Sequence, residues 1–376
     1  MAANTRKLIF TGLRAIVCVV ALGWVLRSVT WYDRVTLPDG RSARVLDRDA
    51  HRMLLEYDDG RSEHVPVAGM PDVQLGLKSV LRDSRKGHLL LAVLLFAPVP
   101  FLQSLRFLMM FRAQDIHLSF AECTRLCLAG NFLNFVALGS TGGDLVKAYY
   151  VAKHTQRKAA ALVAIFVDRA VGLLEFAMLP AVVIALTFLA GARDTERLVL
   201  PAAMVAAVLC SVTAGLAVLL SPWLRRVLHL QKIAGLLPLQ RHIAVAAEAA
   251  DLYRRRLPAL VKALAMTLGG QASFIVAILL AGLSLALPVP WHQYFLYVPL
   301  IYIIAAVPIS PGGLGLTEAF FVTFLSPLGA SPSEVLALAL VARLFPMIVS
   351  LPGIIVALTG PKLPRPAQMR TELDAG

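Results

Sequence analysis

The chain has 376 residues, of which 58% are hydrophobic and 16% charged, with a formal net charge of +13. A soluble domain is about a quarter charged, so this composition excludes an ordinary soluble enzyme. Long apolar runs without strand-like alternation exclude a barrel and indicate an all-α polytopic membrane protein, whose helices satisfy their own backbone groups in lipid. The excess of Lys and Arg fits cytoplasmic loops obeying the positive-inside rule, and no basic module suggests a nucleic-acid partner.

Residues 1–30 read as a first transmembrane helix. Arg6 and Lys7 precede an apolar run at 8–30. The run is long and no small-residue cleavage site follows, so a retained span is expected rather than a signal peptide. Residues 31–87 are polar and nearly balanced in charge. Pro38-Asp39-Gly40-Arg41-Ser42 and Asp58-Asp59-Gly60-Arg61-Ser62 are similar turn signals flanking apolar runs at 44–46 and 53–57. Asp-Gly turns between such runs predict hairpins, hence a small β-rich insert on the outer face. It serves either as a decorative or oligomer-forming loop or in ligand recognition.

Residues 88–360 hold the remaining apolar segments, near 88–111, 120–138, 159–190, 198–220, 259–287, 293–308, 314–329 and 333–359. A full crossing takes about 20 residues. Segments 120–138, 293–308 and 314–329 are short or broken by Gly and Pro, which predicts re-entrant or discontinuous helices. Segment 159–190 would reach roughly 48 Å as a helix, too long for one span. Cys18, Cys123, Cys127 and Cys210 all lie in apolar runs and read as buried thiols, since no second ligand pair completes a metal set.

Basic clusters at Lys147–Lys158, at 221–258 and in the polar tail 361–376 place these stretches, and both termini, in the cytoplasm. The short loop 191–197 is balanced in charge and fits the outside. These assignments agree only if 120–145 enters and leaves from the cytoplasm and 293–329 enters and leaves from outside. The two would form an inverted-topology repeat.

Each candidate repeat carries a Ser-x-Gly-Gly turn and an acid. The first runs Ser140-Thr141-Gly142-Gly143-Asp144, with Arg169 following 25 residues after the acid. The second runs Ser310-Pro311-Gly312-Gly313, then Glu318, with Arg343 again 25 residues after the acid. Glycine pairs permit positive φ and close backbone approach, and they leave N–H groups that favour an anion such as a lipid phosphate; packing alone is the other reading. Lys147 can meet Asp144 on one helix face, and Asp168 shares a face with Glu175. Arg169 and Arg343 either hold a phosphate by paired hydrogen bonds or neutralise the acids of their own repeats. Asn131 and Asn134 serve between helices or against headgroups. Charges at these depths cost about 2.5–3.5 kcal/mol each on insertion scales, so they should face a bundle interior, a watery cavity or one another. No nucleophile–base pair, metal set or cofactor motif is visible.

Asn131-x-x-Asn134, Gly143-Asp144-Leu145-Val146-Lys147-Ala148-Tyr149-Tyr150, Asp168-Arg169-x-x-Gly172-Leu173 and Pro308-x-x-Pro311-Gly312-Gly313-Leu314-Gly315-x-x-Glu318 stand in order along the chain. Together they resemble the lysylphosphatidylglycerol synthase transmembrane-domain family, over about 88–360. The resemblance implies an eight-helix-type, flippase-like domain that moves a lipid between leaflets of the inner membrane. In the namesake that lipid is made by a separate cytoplasmic synthase domain. The short tail 361–376 leaves no room for such a domain here, so aminoacyl transfer by this chain is not expected.

The expectation is therefore about eight membrane helices, some re-entrant or broken, with a possible inverted repeat. The expected function is movement of a phosphate-bearing phospholipid or isoprenoid-linked lipid; the alternative is a non-transporting scaffold for a lipid- or glycan-modifying enzyme. The expected binding set is Asn131, Asn134, Gly142, Gly143, Asp144, Lys147, Asp168, Arg169, Gly312, Gly313, Glu318 and Arg343. The expected partners are membrane lipids with anionic headgroups.

Overall fold

The computed structural model describes residues 31–37, 42–48, 52–57, 60–66, 76–136, 143, 147, 148, 150, 151, 155, 158–191, 196–227, 250–307, 311–353 and 355. The expected first span at 8–30, residues 228–249 of the basic loop, the tail 361–376, Gly142 and Asp144 lie outside the described residues.

The polar insert begins as an antiparallel meander. β1 (Arg34–Thr36), β2 (Ser42–Arg48), β3 (Arg52–Tyr57) and β4 (Ser62–Pro66) each pair with the next in sequence. The two strands expected from sequence fall inside β2 and β3. Register places Val35 opposite Ala43 and Val45 opposite Leu55. Val35, Ala43, Met53 and Leu55 are buried together, with Val45, Tyr57 and Val65 packed against them. Period-two alternation thus supplies one apolar face. Off that core, Arg44 pairs with Glu56 at 3.5 Å and its guanidinium lies 3.4 Å from the Tyr32 ring centroid.

The insert is not wholly β. Residues Leu77–Arg82 form a short helix, α1, which the sequence reading did not anticipate. Its start is held by a distant carboxylate. Asp33 accepts the Gly76 N–H at 2.7 Å and the Ser79 hydroxyl at 3.0 Å. Gly76 is required there, because a Cβ would sit 2.4 Å from the Tyr32 carbonyl carbon.

Beyond it the described elements are helical: α2 (Lys86–Phe96), α3 (Val99–Arg112), α4 (Phe120–Val136), α5 (Lys158–Leu189), α6 (Glu196–Leu220), α7 (Pro222–Val227), α8 (Leu257–Ser284), α9 (Trp291–Ala306), α10 (Leu316–Leu325) and α11 (Pro332–Ser350). Short 3-10 turns at Pro311–Gly313 and Ser326–Leu328 flank α10. Each apolar segment read from sequence within 88–360 corresponds to one of these helices or to an adjoining pair. Pro98 and Pro100 mark the break between α2 and α3, where an interior proline removes a backbone donor.

Among the described residues, five helical stretches are long and apolar enough to cross a membrane: Lys86–Arg112, Ala160–Leu189, Leu198–Leu220, Leu257–Ser284 and Pro332–Ser350. The chain is a multi-pass membrane protein. α5 is one helix of 32 residues, roughly 48 Å long, as its apolar run required. α9 and α10 have 16 and 10 residues. They reach roughly 24 Å and 15 Å, short of a hydrocarbon core of about 30 Å. The broken character of 293–329 is therefore real.

The fold divides into two compact units. One is drawn from Met1–Val93, Ala277–Trp291 and Leu314–Leu344, the other from Leu94–Val276, His292–Gly313 and Phe345–Gly376. In the first, the α2 end and the α8 end are tied by two hydrogen bonds: the Arg85 N–H to the Ser284 carbonyl and the Ser284 hydroxyl to the Arg85 carbonyl, both at 2.9 Å. In the second, α3, α4, α5 and α8 share a core that includes Phe107, Met110, Phe111, Cys123, Cys127, Ala164, Val167 and Ala263. Tyr253 is fully buried against it, its hydroxyl donating to the Met110 carbonyl at 2.9 Å. An aromatic group of Phe96, Phe176, Phe274 and Tyr302 fills another part of the same unit.

The cysteines divide as well. Cys123 and Cys127 are buried, as read, but Cys210 is exposed. It lies on α6, whose apolar window is only 6% buried in protein. α6 packs along α5, and most of its remaining surface is exposed. Hydropathy cannot tell a side chain buried in protein from one turned to lipid.

Candidate functional site

Charge buried among apolar helices defines two sets of residues. The larger lies in the second unit. Asp168 and Glu175 are seven residues apart on α5, so they project from one face two turns apart. Arg106 on α3 reaches both. Its Nε donates to Asp168 Oδ1 at 2.7 Å, and Nη1 donates to both Glu175 oxygens at 2.9 Å. The side chains of Arg106, Asp168 and Glu175 are 10%, 15% and 5% exposed, so solvent screens these pairs little. Thr267 on α8 adds a hydroxyl donor to Glu175 Oε1. Gly172 lies between the acids on the same face, and a methyl there would touch the guanidinium at 3.6 Å. That is ordinary van der Waals contact, so an alanine would fit there as well.

Beside this set, α4 receives the segment that carries the first glycine pair. Gly143 is helical and buried, and its N–H donates to Asn134 Oδ1 at 2.9 Å. A Cβ on Gly143 would stand 1.9 Å from the Gly130 carbonyl oxygen. Gly143 is thus a glycine for close backbone approach, not for positive φ. A Cβ on Gly130 would in turn strike Lys147 Cε at 2.4 Å. The two glycines let Lys147 lie down on α4, where it is 8% exposed with its ammonium 5.7 Å from the Phe107 ring centroid. Asn131 donates to Gln103 Oε1 at 3.2 Å, joining α4 to α3. Both asparagines therefore bond within the protein. Arg169, half-buried, follows Asp168 by one residue and so points about 100° round α5.

The second glycine pair works differently. Gly312, Gly313 and Gly315 have φ of +56°, +70° and +76°, the left-handed region that only glycine enters cheaply. The turn Pro311–Gly313 lies against α4, the helix that also receives Gly143. In the first unit, Glu318 on the first turn of α10 is 3% exposed. Its Oε2 accepts the Gly315 N–H at 2.8 Å, and its Oε1 accepts Arg343 Nε of α11 at 2.6 Å. Of the two roles open to Arg343, pairing with the acid 25 residues before it is realised here. The matching pair, Asp144 with Arg169, falls partly outside the described residues.

Sequence reading missed Arg106 and Thr267. Arg106 had a signal: it is a cation deep in the apolar run 88–111, and such a residue is a functional candidate on cost alone. Thr267 had none, being a small hydroxyl in a helix where such residues commonly bond their own backbone. Chemically, the arrangement holds charge: Arg106 and Arg343 are matched to carboxylates, and the Lys147 ammonium lies near the Phe107 ring.

No curated protein matches the chain. The family model for the lysylphosphatidylglycerol synthase TM region matches residues 74–353, which takes in α1 to α11 and leaves the sheet outside. The chain belongs to the lysylphosphatidylglycerol synthase transmembrane-region family.

Proposed function

We propose that this protein moves a phosphate-bearing lipid, a phospholipid or an isoprenoid-linked one, between the leaflets of an inner membrane, with both termini in the cytoplasm. One observation carries the reading. Arg106, Asp168 and Glu175 form a hydrogen-bonded charge set buried among helices that cross lipid. Taking ions out of water costs several kcal/mol each, and apolar residues of similar volume usually pack as well or better. Packing alone does not call for such a set, whereas passage of a charged headgroup does. Its carboxylates hold Arg106 when no headgroup is present. A phosphate then competes for the guanidinium and for Lys147, and forked donation from Arg suits phosphate geometry.

In this reading Asn131, Asn134, Gly142 and Gly143 shape the cytoplasmic approach. Asp144, Lys147, Asp168 and Arg169 exchange partners with the headgroup there. Gly312, Gly313, Glu318 and Arg343 serve the outer approach, where the Glu318–Arg343 pair is the gate to be opened. Basic loops gather anionic lipid at about 1 kcal/mol per Lys or Arg near the surface.

The test is transbilayer movement of fluorescent phosphatidylglycerol and of a labelled polyisoprenyl phosphate in proteoliposomes of the purified protein. Movement well above the protein-free rate for either lipid is expected. Movement at the protein-free rate for every anionic and isoprenoid lipid tried ends the transport reading. A scaffold for a lipid- or glycan-modifying enzyme is the second reading, favoured by a sheet that stands outside the family match. Substituting Asp144 and Arg169 separates the two, because a scaffold would keep its partner and its phenotype.

A further inference from the structure

The Arg106 set holds two carboxylates and one guanidinium, so with both acids ionised these three side chains sum to one negative charge. Among the described residues, the charged groups acting on Glu175 are Arg106 from α3 and Asp168 from its own helix; α8 presents the neutral Thr267. A buried unit charge is expensive where the dielectric is low, and one proton removes it.

The hydrogen bonds have a place for that proton. Thr267 Oγ1 lies within bonding distance of Glu175 Oε1 and also of the Ala263 carbonyl at 2.8 Å, one turn back on α8. A hydroxyl carries one proton and accepts through its lone pairs. With Glu175 ionised, Thr267 donates to the carboxylate. With Glu175 protonated, the carboxyl donates to Thr267, and Thr267 donates to Ala263. The same heavy-atom positions serve both states. One turn further along α8, on the face of Thr267, Gln271 is 8% exposed and its amide Nε2 has no acceptor. A buried donor of this kind can serve a polar guest.

We propose that Glu175 is a proton-binding site and that its protonation is coupled to uptake of the anionic headgroup. The coupling rests on the lipid-transport reading above. A proton passes from water to the Glu175 carboxylate, and the neutral carboxyl turns to Thr267. Arg106 then keeps Asp168 through Nε, while Nη1 loses its ionic partner and becomes available to a lipid phosphate. Proton and phosphate enter together, so no net charge is added to the buried set. Loss of the proton restores the Glu175–Arg106 pair and expels the phosphate. A proton gradient is thereby a sufficient driving force for directed lipid movement.

Two measurements on the purified full chain test this. In lipid membranes without added substrate, infrared titration from acid to alkaline pH follows the protonated-carboxyl C=O band. A titrating band that disappears in Glu175→Gln is expected. A band absent, or untouched by that substitution, overturns the proton site whether or not lipid moves. In proteoliposomes, movement of fluorescent phosphatidylglycerol is then read under imposed pH gradients of either sign. The expected rate responds to the gradient by up to about tenfold per pH unit, the limit for one linked proton. Glu175→Gln is expected to lose that response. Movement indifferent to the gradient overturns the coupling and leaves transport standing. No movement at all ends both, and the infrared band, which needs no transport, tells these failures apart. Should Glu175→Gln fail to fold, Thr267→Val replaces it. Loss of the hydroxyl must shift the carboxyl band and its titration midpoint, and an unmoved band overturns the proposal.

Discussion

Arg106 is the residue on which the second unit's buried charge depends. Removing it, as in Arg106→Leu, deprives Asp168 and Glu175 of the guanidinium they share. Breaking a buried pair costs about 3–5 kcal/mol, so the variant is expected to unfold well below the parent temperature in detergent. Arg106→Lys keeps the charge but cannot donate to two carboxylates through a fork, so a partial rescue is expected. Equal unfolding temperatures for parent and Leu variant would contradict the role given to the set. Glu318 offers a finer contrast, since one carboxylate both caps α10 and pairs with Arg343. Glu318→Gln retains an acceptor for Gly315 and loses the charge, whereas Glu318→Ala loses both. The Ala variant is expected to be the less stable by about 1 kcal/mol, the usual worth of a cap. A double-mutant cycle with Arg343→Gln would measure the ionic part separately.

At the scale of elements, two contacts are sharply defined and neither was legible as such. Gly143→Ala sets a methyl on the Gly130 carbonyl at 1.9 Å. The segment must lift from α4, which uncovers Lys147; an increase in labelling of Lys147 by an amine reagent is the expected readout, and unchanged labelling would dismiss the close approach. Asp33→Ala deprives Gly76 and Ser79 of their acceptor. Faster amide exchange confined to residues 76–82 is expected, with α5 unchanged. Helix positions were legible because hydropathy reports membrane burial directly: α5 and α6 stand within a few residues of the runs 159–190 and 198–220. The short α9 and α10 were legible through Gly and Pro. α1 was not, because its start is fixed by a carboxylate 43 residues away. Of the site, the acids, the glycines and the 25-residue spacing of Glu318 and Arg343 were visible. That Asp168 and Glu175 turn to α3 for their cation was not, since partner choice across helices leaves no periodic trace in one sequence.

For the whole molecule, orientation is the property most exposed to test. Read by the positive-inside rule, loop charges put the stretch 147–158 inside and residues 191–197 outside, an expectation that labelling can check. Since α5 joins them and is the length of a span with some excess, one crossing between the two is the minimum required. Impermeant thiol labelling of single cysteines at positions 155 and 191 is expected to report opposite sides, and labelling from the same side would undo the topology. Glycine use follows a related division. Gly143 allows two backbones to touch, while Gly312, Gly313 and Gly315 turn the chain. If the two Gly-Gly elements share an ancestor, they have kept the residue and changed its physical task.

One guanidinium gripped by acids two turns apart also has a mechanical meaning. The acids stand roughly 10 Å apart along the α5 axis at 1.5 Å per residue. Were α3 to slip along α5, Arg106 would draw away from one acid while staying within reach of the other. The two acids would then serve as a rail on which a step of one turn, about 5.4 Å, leaves the cation a carboxylate. On such a rail Asp168→Asn or Glu175→Gln would remove a stop from one end of the travel.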